Sequence, residues 1–187
     1  LPNLRTIKLD LLLNLTKTPN FDGLRNLERF MIRGCGKLIE IHPSFGHLEK
    51  LVYVVIDGCF NLQMLPPITR SKKLETLELS KCSRLFNSSR IQQSMENVEH
   101  LPEPFLPHNI NHIGLRFFNR CLRKLDLSGC FLGDGDISST GFWEFPNLQE
   151  LDLHGNKFSR LNFSRIPRLK CLNVKYCFHL VELLELP

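Results

Sequence analysis

LERFMIRGCGKL, residues 27–38, decides how this chain is to be read. Its apolar residues stand at Leu27, Phe30, Ile32 and Leu38, with Cys35 in the gap between the last two. Taken alone, Cys35 fits a catalytic thiol, a zinc ligand, half of a disulfide or a buried structural plug. The choice depends on whether the stretch is unique.

Six other phrases fall into register with it. They are LRTIKLDLL (4–12), LVYVVIDGC (51–59), LETLELSKC (74–82), LRKLDLSGC (122–130), LQELDLHGN (148–156) and LKCLNVKYC (169–177). All obey LxxLxLxx(C/N), with Leu, Ile, Val or Phe accepted at the apolar places. The final slot holds Leu12, Cys35, Cys59, Cys82, Cys130, Asn156 and Cys177, at spacings of 23, 24, 23, 48, 26 and 21 residues. These match the period of roughly 20–29 residues of leucine-rich repeats, and the 48 is two such periods. The chain thus reads as one domain, 1–187, with seven clear repeats and one degenerate repeat. The degenerate stretch, about 86–121, carries Pro102, Pro104, Pro107 and three histidines. An irregular bulge or loop is expected there, with Val98, Leu101 and Phe105 as the anchors of a worn repeat.

Each unit has a readable physics. The alternation xLxLx predicts a short strand with Leu, Ile or Val facing in and the intervening side chains facing out. A parallel partner is out of reach of a tight turn, so the chain must travel back over the far side before the next strand. A second apolar group closes that path: Leu38, Ile41 and Phe45 in one unit, Leu62, Leu65 and Ile68 in the next, Leu180 and Leu183 near the end. Pro19, Pro43 and Pro66 exclude a long helix or regular strand on the return side. The inner face of each unit stays open unless a neighbour covers it, so stability comes from stacking. The expected fold is α/β in class. It is an arc-shaped leucine-rich-repeat solenoid with a parallel sheet on its concave side and irregular or 3-10 return segments on its convex side. Leu1 and the closing ELLELP (182–187) lie in mid-pattern without polar caps, so the stretch is read as a piece of a longer protein.

Bulk composition agrees. An apolar fraction of 42% and a charged fraction of 23% belong to a globular domain and argue against disorder. The longest apolar run, near Leu11–Leu13, is too short for a membrane span, and nothing at the start resembles a targeting peptide. The net charge is only +5, and the lysines and arginines are scattered along the sequence, which reads as a solvated surface and not as a nucleic-acid arm.

The cysteines can now be weighed. Cys35, Cys59, Cys82, Cys130 and Cys177 share one slot, which Asn156 fills in the sixth unit. A small polar group there turns inward where the chain leaves the strand and bonds orphan backbone groups of the turn. Neighbouring slots would stack at about 4.7–4.9 Å, too far for disulfide sulfurs without local movement. There is no CxxC to suggest zinc. A row of reduced thiols fits a cytosolic chain better than a secreted one. Cys171 and Cys121 lie outside the slot but have no His/Asp context for nucleophilic catalysis. His108 and His112, spaced i, i+4, read as loop histidines, as do His42 and His47 beside a return-side turn. Sequons at Asn14, Asn87 and Asn162 matter only in a secreted chain. With no P-loop, dinucleotide fingerprint or paired carboxylates, no enzyme activity, metal or cofactor is expected of this segment.

Several phrases resemble the leucine-rich repeats of plant intracellular immune receptors of the nucleotide-binding class, in the branch with an N-terminal Toll/interleukin-1-receptor domain. They are LPNLRTIKLD (1–10) with NLTKTPNF (14–21), GCGKLIEIHPSFGHLEKL (34–51), LDLSGCFLGDGDI (125–137), NLQELDLHGNKFSRL (147–161) and LVELLELP (180–187). Departures are Leu11–Leu13, at places usually polar in that family, and ELLELP where ELPELP is commoner. The resemblance implies a sensing and restraining module. Its partners would be a pathogen effector or a guarded host protein, and a nucleotide-binding switch that holds ADP or ATP in a separate domain outside this chain. It implies a cytoplasmic location, with the nucleus as a second compartment. Two other readings compete: the ectodomain of a cell-surface receptor, which would use the sequons, and a generic scaffold or F-box-type adaptor.

The alternation names the outward side chains. They are Thr6, Lys8 and Asp10; Arg29, Met31 and Arg33; Tyr53, Val55 and Asp57; Thr76, Glu78 and Ser80; Lys124, Asp126 and Ser128; Glu150, Asp152 and His154; Cys171, Asn173 and Lys175. This strip begins basic, carries an exposed apolar pair in Tyr53 and Val55, and turns acidic through Glu78, Asp126, Glu150 and Asp152. The bland reading is a solvated sheet face. The sharper one is a protein-docking strip anchored by Arg29, Met31, Arg33, Tyr53 and Val55, since Tyr, Met and Arg favour interface cores.

Overall fold

The computed structural model describes residues 3–86, 121–134 and 145–187. Seven parallel strands form one sheet in chain order: β1 (Thr6–Asp10), β2 (Arg29–Arg33), β3 (Tyr53–Asp57), β4 (Thr76–Glu78), β5 (Lys124–Asp126), β6 (Glu150–Asp152) and β8 (Cys171–Asn173). One strand comes from each repeat, as the LxxLxLxx(C/N) phrase predicts. The described residues include one helical turn, α1 (Ser83–Phe86), and a 3-10 turn at Pro43–His47, which His42 caps by accepting from the Ser44 N–H through Nδ1. No helix among the described residues is long and apolar enough to cross a membrane.

Alternation sets the core. Phe30 and Ile32, Val54 and Ile56, Leu77 and Leu79, Leu125 and Leu127, and Leu151 and Leu153 all point inward and are buried. The return segments close the other side with Leu38, Ile41, Phe45, Leu62, Leu65 and Ile68. Phe21, Phe30 and Phe45 interlock with ring centroids 4.6–5.5 Å apart. Inward residues of the outermost strands, Ile7, Leu9, Leu172 and Val174, are only half-buried. Each has a neighbouring unit on one side alone, as expected when burial comes from stacking.

Two expectations need correction. Leu183 does not seal the last return path; it is 40% exposed and lies in a strand, β9 (Glu182–Leu184). That strand pairs in parallel with β7 (Arg160–Asn162), so the return side of the last units, away from Pro19, Pro43 and Pro66, carries a short regular pair where an irregular path was expected. The isolated bridges Lys17↔Glu40 and Glu40↔Met64 begin the same ladder in the first units, five residues past each slot. Leu12, at the slot position of the first unit, is 42% exposed. Between units four and five, β4 and β5 are hydrogen-bonded neighbours, with Thr76 opposite Lys124. The expected worn repeat with Val98, Leu101 and Phe105, together with His108 and His112, lies outside the described residues.

Candidate protein-docking face

The turn after each strand is built alike. The residue before the slot has positive φ in every unit: Leu11, Gly34, Gly58, Lys81, Gly129, Gly155 and Tyr176, at 53–69°. Four of the seven are glycine, which adopts this left-handed conformation without steric cost. The conformation turns the chain inward while keeping its backbone on the ladder. From Leu11 to Gly155 the N–H of each such residue donates to a carbonyl of the next unit, at 2.7–3.0 Å.

The slot side chain then serves the carbonyls that the strand leaves over. Cys35, Cys82, Cys130 and Cys177 donate through Sγ to Leu9, Ile56, Leu79 and Leu153 of the preceding unit, at 2.9–3.4 Å. Cys59 donates to Asp57 of its own turn at 3.7 Å. Asn156 does more. Its Nδ2 donates to the carbonyls of Leu127 and Leu153, and its Oδ1 accepts from the Leu132 N–H. Burial pushes the Cys59 thiol up to about 11, Cys130 up to about 12 and Cys82 well upward. These are protonated thiols with little nucleophilic character. All seven cysteines are free, and only Cys171 is well exposed. Among the described residues no cluster of His, Cys, Asp and Glu is placed to hold a metal.

The open face of the sheet gathers the outward residues into columns by register. One column runs Arg29, Tyr53, Thr76, Lys124, Glu150 and Cys171. The next runs Lys8, Met31, Val55, Glu78, Asp126, Asp152 and Asn173. In the third, Asp10, Arg33 and Asp57 are paired, and the Ser80 hydroxyl donates to Asp57 Oδ1 at 2.9 Å. His154 and Lys175 stand at the equivalent place in their units. The residues of the first two columns thus share one face of the sheet.

Their exposure differs from expectation. Met31 is 5% and Val55 1% exposed, so Val55 is no half of an exposed apolar pair. Neither belongs to the interior cluster; they are covered on the open face by the side chains around them. What stands out is Arg29, whose guanidinium lies 4.2 Å from the centre of the Tyr53 ring, a cation–π contact. Nothing local to either residue marks that contact, since 24 residues separate the two partners. Further along, Lys124 Nζ bridges Glu78 (2.9 Å) and Glu150 (3.9 Å). Asp152 accepts from Asn173 Nδ2 at 2.8 Å and from the His154 N–H at 2.9 Å. Burial holds the Asp126 carboxyl above the usual aspartate range, with Asp152 and Glu78 adding repulsion against two hydrogen bonds from Ser128.

A stack of parallel strands in chain order, with buried Cys/Asn slots and a polar, charged open face, is the architecture of a leucine-rich-repeat protein. Two family models described as leucine-rich repeat match the chain, over residues 118–139 and 147–169. The relatives narrow the class. The chain is 36% identical over 85 residues to TMV resistance protein N of Nicotiana glutinosa, covering 46% of this chain and 7% of that protein. It is 33% identical over 181 residues to disease resistance protein RPP4 of Arabidopsis thaliana, covering 86% of this chain and 15% of that protein. To Arabidopsis disease resistance protein RML1A it is 29% identical over 136 residues, 69% of this chain and 12% of that protein. The chain belongs to the leucine-rich-repeat regions of plant disease-resistance proteins, and it spans well under a fifth of these relatives' length.

Proposed function

We propose that this module is the sensing and restraining part of a cytoplasmic plant immune receptor of the Toll/interleukin-1-receptor branch, acting in the cytoplasm or nucleus. Its open face reads a pathogen effector, directly or through a guarded host protein, and its occupancy controls a nucleotide-binding switch outside this chain. The observation that carries the reading is the polarity of the face. Arg29 and Tyr53 form a cationic, aromatic end on β2 and β3, while Glu78, Asp126, Glu150 and Asp152 form an acidic end on β4, β5 and β6. A protein ligand laid across the strands meets opposite charge at its two ends, which fixes its direction. Met31 and Val55, on the same strands as Arg29 and Tyr53, form a buried floor beside them. Free cysteines support the intracellular setting, and the names of the relatives support a part in disease resistance.

The test is a pair of substitutions, Arg29→Glu and Tyr53→Ala, in the full-length receptor expressed in leaves. Loss of the ligand-triggered response with no change in resting activity supports sensing; activity without ligand supports restraint. A receptor unchanged in both respects overturns the proposal.

A further inference from the structure

Cations dispersed along the sequence meet on one rim of the sheet. The four residues that lead into each strand stack on those of the next unit. Their backbones are tied by N–H to carbonyl bonds of 2.8–2.9 Å running Glu28, Val52, Glu75, Arg123, Gln149 and Lys170. In units one to three these lead-ins hold three cations, Arg5, Arg25 and Lys50, against two carboxylates, Glu28 and Glu49. Arg5 is paired to Glu28 at 2.6 Å. In units four to seven the described lead-ins hold five cations, Lys72, Lys73, Arg123, Arg168 and Lys170, against one carboxylate, Glu75. All five are exposed. Arg168 donates to Asn147, and the other four have no ion-pair partner among the described residues. One half of the rim is therefore nearly neutral and the other carries an excess of four positive charges.

Adjacent rungs lie about 4.8 Å apart, so Arg123 and Lys170, two rungs apart, are about 10 Å from each other. That is near the Debye length at physiological salt, so the cations act as one field. We infer that the rim of units four to seven docks an acidic, extended protein segment. A nucleic acid is disfavoured on two grounds. The lead-ins present no exposed aromatic ring for base stacking, Phe145 beside them being buried. The carboxylate column Glu78, Asp126 and Asp152 also runs parallel to the rim, about 10 Å inward. It repels any polyanion wide enough to overlap it, whereas a single peptide strand stays clear. The rim is distinct from the open-face residues invoked above, so either proposal can fail without the other.

The experiment is fluorescence anisotropy with a labelled polyglutamate peptide and, separately, a labelled single-stranded oligonucleotide, both against the full-length protein at low salt. The peptide is expected to bind, and its affinity to fall by about tenfold when Lys72, Lys73, Arg123 and Lys170 are all changed to Glu. Reversal of Arg5, Arg25 and Lys50 should leave it within about twofold. Thermal melts establish that both variants are folded, which exposed positions should permit. No peptide binding, an equal loss in both variants, or tighter binding of the oligonucleotide through the same residues would overturn the inference.

Discussion

The first three units and the last four build the same sheet with different outward chemistry, and the difference traces to one position per repeat. β1 to β3 run five residues each, whereas β4, β5, β6 and β8 run three. At the middle of the strand, units two and three carry Met31 and Val55, whose side chains offer the backbone nothing. Units five, six and seven carry Asp126, Asp152 and Asn173. Each of these accepts the N–H two residues on, from Ser128, His154 and Lys175 respectively. The donor is lost to the strand ladder, as short polar side chains do when they compete with regular structure. The preceding unit's carbonyl is then taken by the slot residue, Cys130, Asn156 or Cys177. In units five to seven the ladder is thus shortened by a local choice, and the slot repairs the accounting of polar groups.

Changing that position should break the contrast most sharply. Val55→Asp would bring a carboxylate into a covered site without a partner, and a loss of about 3 kcal/mol or more is expected in urea unfolding. The slot comes next. Asn156→Ala takes the side-chain donor from the Leu127 carbonyl and the acceptor from the Leu132 N–H, leaving Leu153 to Cys177, and should cost on the order of 2–3 kcal/mol, clearly more than Cys59→Ala, whose one long bond is weak. A gain is expected where a side chain occupies the left-handed turn. Tyr176→Gly should raise stability by about 0.5–1 kcal/mol after the added chain entropy of glycine is counted, while Gly58→Ala should lower it.

The acidic column gives a pH-dependent contrast. Ionising Asp126 is disfavoured in the folded state, so the stability linked to its protonated form is present below about pH 4 and is lost as pH rises through its raised value. Asp126→Asn keeps an acceptor for Ser128 and removes that cost. Melting temperatures should favour the variant at pH 7, and the advantage should close as pH falls toward about 4. Smallest of all, Arg29→Ala should cost about 0.5–1 kcal/mol through the ring of Tyr53, with no such effect for Arg33→Ala.

The repeat made the fold legible. A period-two strand and a fixed slot locate every strand of the main sheet, the inward leucines and the function of Cys35, because each follows from chain geometry within one unit. Features made between units were not legible. Burial of Val55 depends on its neighbours across the ladder, and the Arg29–Tyr53 contact and the basic rim arise only when distant residues are stacked. The β7–β9 pair was hidden for another reason: RLN and ELL are too short to show a period. The alternation names the side chains that share the open face, but which of them reach solvent had to come from the assembled sheet.

The left-handed joint before each slot has a consequence for how such a chain changes over time. It couples one unit to the next through main-chain atoms, and it closes identically whether 21 or 48 residues separate successive slots. Nothing in the joint measures the length of what lies between. Segments can be spliced into the far side, or whole units gained and dropped, while the remaining strands keep their alignment. The open face can thus be lengthened or shuffled in discrete steps, as a text is edited by lines and not by letters.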